Sequence, residues 1–291
     1  MKNLIAAISI MATGAALASA VTSDTTFGVL KVTSTNLQTV ISVPWEAVGT
    51  SGNPVKVKDF VKTSNLMPSG KRDDVELQNG DKLYKYDNST SYYSGWFLNS
   101  TNVWEGYAIA ADEITSSSYA KADEATLARG DALILVRVPT NTTSGVARSL
   151  AGSAGDIYLY GQYNETPVTT HTMAYATDES KATLFAPWNT TNEGVFVNAD
   201  NATTGEIYLS WENVDASDTL ALQDDNGNVV ILTRHDNKWG VYNPFSEEED
   251  EEDKWYYNFK IKPGMGAWYR AAKVSTRTVA PVATRTVKAA E

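Results

Sequence analysis

Two histidines, His171 and His235, are the only imidazoles in a 291-residue chain that contains no cysteine. Thiol catalysis, disulfides and a cysteine-linked lipid anchor are thereby excluded, and a zinc site would need carboxylates to complete it. Neither histidine has a metal-ligand spacing, so both read as surface or turn residues. Serine chemistry lacks its local signatures, a Gly-x-Ser-x-Gly elbow or a Ser-x-x-Lys pair. A triad defined by geometry alone stays open. Glycoside hydrolysis needs two carboxylates facing one another across a cleft. Glu46, Asp112, Glu113, Glu206 and Glu212 supply the residue type but are scattered among other acids. The expectation is a protein with no catalytic residues and no cofactor.

Two stretches have chemistry that attracts calcium. Asp224-Asp225-Asn226-Gly227-Asn228 carries part of a calcium loop, but Val229-Val230-Ile231-Leu232 follows where a glutamate ligand is required. A hairpin turn suits it better, because Asn and Gly accept positive φ. Glu247, Glu248, Glu249, Asp250, Glu251, Glu252 and Asp253 form an unbroken acidic run. Adjacent carboxylates repel one another, and collecting cations lowers that cost. The run is a weak site for loosely bound calcium, and a solvated loop over 246–254 is the plainer expectation.

The chain has eight Trp and fifteen Tyr, whose flat rings could stack on sugar faces. Aromatics that alternate along strands more often fill cores and cross-strand pairs. Trp45, Trp104, Trp188, Trp239 and Trp268 fall at recurring landmarks and are assigned to core. Tyr92, Tyr93, Trp96 and Tyr256 are the candidates for an exposed ligand platform.

The elements that would position these residues are mostly short strands. Phe27–Val32 alternates, Leu37–Trp45 ends at Pro44, and Lys82–Asp87, Tyr92–Leu98 and Val103–Trp104 are separated by polar turns. Val57, Phe60 and Val61 are spaced for one short helix, and 66–80 reads as loop. Glu105–Arg129 is the best helix candidate, chiefly Tyr119–Ala128, stopped by Gly130. Ala132–Val138 and Gly155–Gly161 follow as strands. In the second half, His171–Tyr175, Ala182–Trp188, Val195–Asn198, Glu206–Trp211, Thr219–Gln223, Val229–Arg234, Lys238–Tyr242 and Trp255–Lys262 are strand candidates. The fold class is all-β and mainly antiparallel, with one or two short helices.

Landmarks recur in order between the halves. Val43-Pro44-Trp45 answers Ala186-Pro187-Trp188, and Asp81-Lys82-Leu83 answers Asp218-Thr219-Leu220. Trp104 answers Trp239, and Arg129-Gly130 through Val136 answers Pro263-Gly264 through Arg270. Ordered self-similarity of this length indicates a duplicated unit, and so two similar sandwich- or barrel-like lobes. The pattern runs from an apolar strand ending in Pro-Trp to Gly264-Met265-Gly266-Ala267-Trp268-Tyr269. Over residues 37–271 it resembles exported β-repeat proteins of Verrucomicrobia- and Lentisphaerae-type bacteria, whose repeats close on a Gly-x-Gly-[Phe/Tyr/Ala]-Trp strand. The first copy departs from that pattern at Gly130-Asp131-Ala132-Leu133-Ile134, which lacks the second Gly and the Trp. The resemblance implies fold and export, and no catalytic residues.

Residues 1–20 have the form of a secretory signal: Lys2, an apolar stretch from Leu4 to Leu17, and the cleavage site Ala18-Ser19-Ala20. No later stretch is long and apolar enough to span a bilayer. The formal net charge is −11, and the body has no basic face, which excludes a nucleic-acid role. Six Asn-x-Ser/Thr triplets, at Asn88, Asn99, Asn141, Asn164, Asn189 and Asn201, follow from an Asn- and Thr-rich composition. The expected layout is a signal peptide (1–20), a first β lobe (21–165), a second (166–271) and a disordered basic Thr/Val-rich tail (272–291). That tail has an alternative: pairing as a strand on a neighbour's sheet edge. The expected function is a secreted, periplasmic, cell-surface or extracellular structural or interaction protein, partnering itself or other envelope proteins. Carbohydrate binding through exposed aromatics is the alternative, and a glycan-active hydrolase the weaker one.

Overall fold

The computed structural model describes residues 27–48, 52–62, 65–87, 92–107, 125–162, 171–173, 183–186, 194–203, 205–224, 227–248, 250–271 and 277–285. The first half contributes β1 (Phe27–Thr33), β2 (Gln38–Ser42), β3 (Val55–Lys56), β4 (Val61–Lys62), β5 (Lys71–Arg72), β6 (Val75–Glu76), β7 (Lys82–Asp87), β8 (Tyr92–Leu98), β9 (Trp104–Tyr107), β10 (Thr126–Leu127), β11 (Ala132–Val136) and β12 (Asp156–Gln162). One helical turn, α1 (Val57–Phe60), buries Val57 and Phe60 as their spacing implies. The second half contributes β13 (His171–Met173), β14 (Thr183–Phe185), β15 (Val195–Phe196), β16 (Ile207–Glu212), β17 (Thr219–Gln223), β18 (Val229–His235), β19 (Lys238–Tyr242), β20 (Trp255–Tyr256), β21 (Lys260–Ile261), β22 (Ala267–Arg270) and β23 (Arg277–Arg285). The fold is all-β, and the described pairings are antiparallel except β15 with β16.

The two halves use one strand order. The larger sheet of the first half runs β2-β11-β7-β8-β9, and that of the second runs β14-β22-β17-β18-β19 with β20 added at its edge. Behind them lie β1-β12-β4 and, correspondingly, β13-β23-β16-β15-β21. Registers agree as well. Leu83 pairs Trp96 and Leu98 pairs Trp104, as Leu220 pairs Leu232 and Arg234 pairs Trp239. Asp81 with Asp218, Trp104 with Trp239, and Gly130 with Gly264 therefore hold corresponding places. The Pro-Trp boxes are one step out of this correspondence. Ile41 pairs Leu133 and Phe185 pairs Ala267, which sets Ser42, not Val43, against Ala186. Trp188 lies outside the described residues.

Each half has a core filled from both of its sheets. In the first, Leu30, Val32 and Leu159 meet Ile41, Leu83, Trp96 and Leu135. In the second, Ile207 and Leu209 meet Leu220, Leu232, Trp239 and Tyr269. A third, smaller cluster joins the halves: Val40, Tyr86, Ala132, Ile134 and Leu184, with Tyr84, Val136 and Trp268 packed on it. This explains the unbroken apolar run of β11. Leu133 and Leu135 face the first core while Ala132 and Ile134 face the junction, so both sides are buried.

The junction is mirrored about its centre. The Ser42 N–H donates to the Gly264 carbonyl at 2.7 Å, and the Ala186 N–H donates to the Gly130 carbonyl at 2.9 Å. Corresponding residues thus contact one another reciprocally, as in an isologous dimer interface. The Gly266 N–H also donates to Val40, beside a bridge between Ile41 and Met265. Ala132 and Gly266 are the corresponding pair nearest the centre. A Cβ on Gly266 would lie 2.8 Å from the Ala132 Cβ and 2.7 Å from a Val40 methyl. There is room for one methyl, not two, which accounts for Ala132 standing where the second half has its second glycine.

Three expectations are corrected. The proposed helix 105–129 is strand at both ends, β9 and β10; residues 108–124, with most of the expected helix, lie outside the described residues. Glu105 is held in β9 by pairing with Phe97, and cross-strand pairing overrides the helical composition. The tail is not structureless either: Arg277–Arg285 is β23, paired with β13 and along the whole of β16. Its hydrogen bonds go to its own chain, so the second half extends to residue 285. A small ribbon, β5 with β6, interrupts the expected loop 66–80.

Candidate functional site

A cleft opens where the halves meet, in two adjoining parts of about 510 and 400 Å³. One wall is the turn from β1 into β2, the other the β17–β18 hairpin and β22. The turn is fixed by Ser34, whose hydroxyl oxygen accepts the Asn36 N–H at 3.2 Å and the Thr39 hydroxyl at 2.7 Å. Across the cleft, Gly227 has φ of 77°, and Asn36 fills the space beside it. A Cβ there would lie 1.1 Å from Asn36 Nδ2. Gln223 ties the walls together: its Oε1 accepts the Val40 N–H and its Nε2 donates to the Gln38 carbonyl, each at 2.9 Å. Half-buried Trp268 lines the base, its plane set by Tyr86 at 5.3 Å and 64°. The larger part carries amide, hydroxyl, aliphatic and indole groups and no ionisable side chain.

Buried charge is used elsewhere, as clamps. Asp81 is fully buried and takes Arg148 Nη1 on both oxygens, at 2.6 and 2.8 Å, with the N–H groups of Met67 and Val138 at 2.9 Å. Arg148 also donates to the Asn65 carbonyl. Asp218 is equally buried and accepts the Tyr269 hydroxyl and the Asp215 N–H. Arg137 donates to the carbonyls of Ser34, Ala154 and Gly155. Burial, with Arg148 as a like charge, lowers its pKa to about 10. Glu46 pairs with Arg129 at 3.5 Å and accepts the Gly52 N–H.

The residues proposed as an aromatic platform are not brought together. Trp96 is 1% exposed and belongs to the first core, because it shares the inward face of β8 with Leu98. Tyr93 is exposed and packs on Tyr86 and Tyr84. Tyr256, 54% exposed, stands on the far edge of the second half against Phe259. The side chain of Tyr92 lies outside the description. Trp45, Trp104 and Trp239 are buried, as expected of core landmarks. One aromatic group was not legible from spacing: His235 stacks on Trp255 at 4.3 Å and 10°, and its Nδ1 lies 2.7 Å from the Tyr257 hydroxyl. The β18–β19–β20 ribbon brings these rings together from separate segments.

Among the candidate acids, Glu206 is held below the usual carboxylate range by hydrogen bonds from Thr203, then by Lys260. Glu212 is exposed, while Asp112, Glu113 and Glu249 lie outside the described residues. In the acidic run, Glu251 accepts the Tyr242 hydroxyl and pairs with Lys254, each at 2.7 Å. Its pKa is lowered, first by Lys254 and then by Tyr242. Among the described residues no three His, Asp or Glu side chains are grouped to hold a metal. Asp224 is spent on its turn, accepting the Asn228 N–H at 2.8 Å. Asn99 likewise accepts three turn donors, so its sequon is structural. No helix among the described residues is long and apolar enough to cross a membrane. No family model, curated protein or solved structure matches this chain.

Proposed function

We propose that this is an exported, non-catalytic envelope or extracellular protein, built by duplication of one β unit, that works by binding rather than by turnover. The observation that carries the reading is the use made of buried carboxylates. Asp81 and Asp218 hold corresponding places, and each closes the loop before its strand by a reciprocal pair of bonds. The Asp81 N–H donates to the Met67 carbonyl, and the Met67 N–H to Asp81 Oδ2. The Asp218 N–H donates to the Asp215 carbonyl, and the Asp215 N–H to Asp218 Oδ2. Carboxylates bound in this way anchor backbone and are unsuited to proton transfer. The test is secretion followed by N-terminal sequencing, with maturation after Ala20 expected, and a turnover screen against ester, peptide and glycan substrates. Turnover abolished by replacing one carboxylate would overturn the reading. A second reading, carbohydrate binding, is favoured by the larger part of the cleft, which has Trp268 at its base and no ionisable side chain in its lining.

A further inference from the structure

We infer that the cleft between the halves is a binding site for a neutral oligosaccharide. The inference rests on the second reading above and gives it a place. One residue in five of the chain is charged, 20%, yet the larger part of the cleft is lined without a single ionisable group. Lys31, Asp224 and Lys262 line only the smaller part, so a charged group seated in the larger part would be unpaired there, which is costly in a partly desolvated site. With Gln223 spent on tying the walls, the polar side chains offered are those of Thr35, Asn36 and Gln38, which both donate and accept, as sugar hydroxyls do. Trp268 supplies a flat apolar surface of the kind a pyranose C–H face covers. Its position at a junction between two packed units is where ligand sites concentrate.

A neutral peptide strand is the competing occupant, and the backbone argues against it. Strand addition needs free N–H and C=O groups on a sheet edge. The outer edge of β2 is already occupied: Ser42 and Val40 bond Gly264 and Gly266, and Gln223 bonds the Val40 N–H and the Gln38 carbonyl. Side chains remain to recognise a ligand, and these suit a polyol.

The test titrates the full chain calorimetrically with neutral hexasaccharides (β-glucan, mannan and N-acetylglucosamine oligomers), a uronate hexasaccharide and an uncharged hexapeptide. Expected is binding of at least one neutral sugar and neither of the other probes. Trp268→Ala should weaken it at least tenfold. Because Trp268 also packs in the junction, Thr35→Arg provides a second variant on an exposed position that narrows and charges the cleft, and it should abolish binding with an unchanged melting temperature. Binding of no neutral sugar removes the carbohydrate reading altogether. Sugar binding that both variants leave intact keeps that reading and removes the site. Preference for the uronate or the peptide overturns the inference.

Discussion

The same buried position is held by an ion pair in one half and by a hydroxyl in the other. Asp81 meets the guanidinium of Arg148, whereas Asp218 meets the hydroxyl of Tyr269. What the two share is the loop closure through a main-chain N–H. The position therefore requires a carboxylate that anchors the loop entering the second strand of the larger sheet; the counter-group is interchangeable. A buried ion pair is strong only while both partners remain, and losing one leaves the other uncompensated. The halves should thus differ in fragility although their backbones correspond.

The largest effect should come from breaking the ionic version. Asp81→Ala leaves Arg148 and two N–H groups without a carboxylate, and should cost about 3–5 kcal/mol in urea unfolding. Asp218→Ala should cost less, about 1–3 kcal/mol, since the hydroxyl and the N–H that bond it are neutral donors. Equal losses would mean the counter-group does not matter energetically. Next comes the junction. Gly266→Ala forces two methyls together and should cost about 1–3 kcal/mol, and Ala132→Gly in the same chain should recover much of it. Absence of that recovery would place the conflict at Val40 instead. Smaller again, Tyr269→Phe should cost about 1 kcal/mol, one hydrogen bond to Asp218.

Acid should expose a further difference of detail. Asp156 is held below the usual carboxylate range, first by the Thr33 hydroxyl and then by Lys31. A lowered folded-state pKa gives stability that is complete above the unfolded value, about 4, and is lost as pH falls through the lowered value. Unfolding midpoints at pH 7 and pH 2.5 should therefore converge more in Thr33→Val than in the parent chain, and an identical pH response would refute the role given to Thr33.

Much of this architecture is legible in the residues. The Asp225-Asn226-Gly227 turn announces the β17–β18 hairpin, and the apolar run at 132–136 announces a strand covered on both sides. The landmarks at Asp81, Trp104 and Gly130 find their counterparts in register. The Pro-Trp boxes mislead by one residue, because a motif match does not see strand pairing, and one step in a strand exchanges its faces. Trp96 misleads for the same reason: the sequence Tyr92-Tyr93-Ser94-Gly95-Trp96 does not reveal which alternate ring points inward. β23 is legible only as a strand without its partner: the Thr/Val-rich tail suggests pairing on a neighbour's edge, whereas its backbone pairs with β16 of the same chain. The cleft is hidden because Asn36 and Gln223 are far apart in sequence and chemically ordinary. Only the fold of one half onto the other makes them neighbours.

The reciprocal bonds at the junction have a consequence for dilution. Two separate subunits sharing such an interface would part as their concentration fell. Here the second member of the pair is tethered to the first, at an effective concentration that a short linker sets in the millimolar range. The contact between Ser42 and Gly264, and its mirror between Ala186 and Gly130, therefore persists for a single molecule released into an unlimited volume. Under the export proposed above, the chain would meet that circumstance routinely, and a cleft made by both halves would stay assembled there.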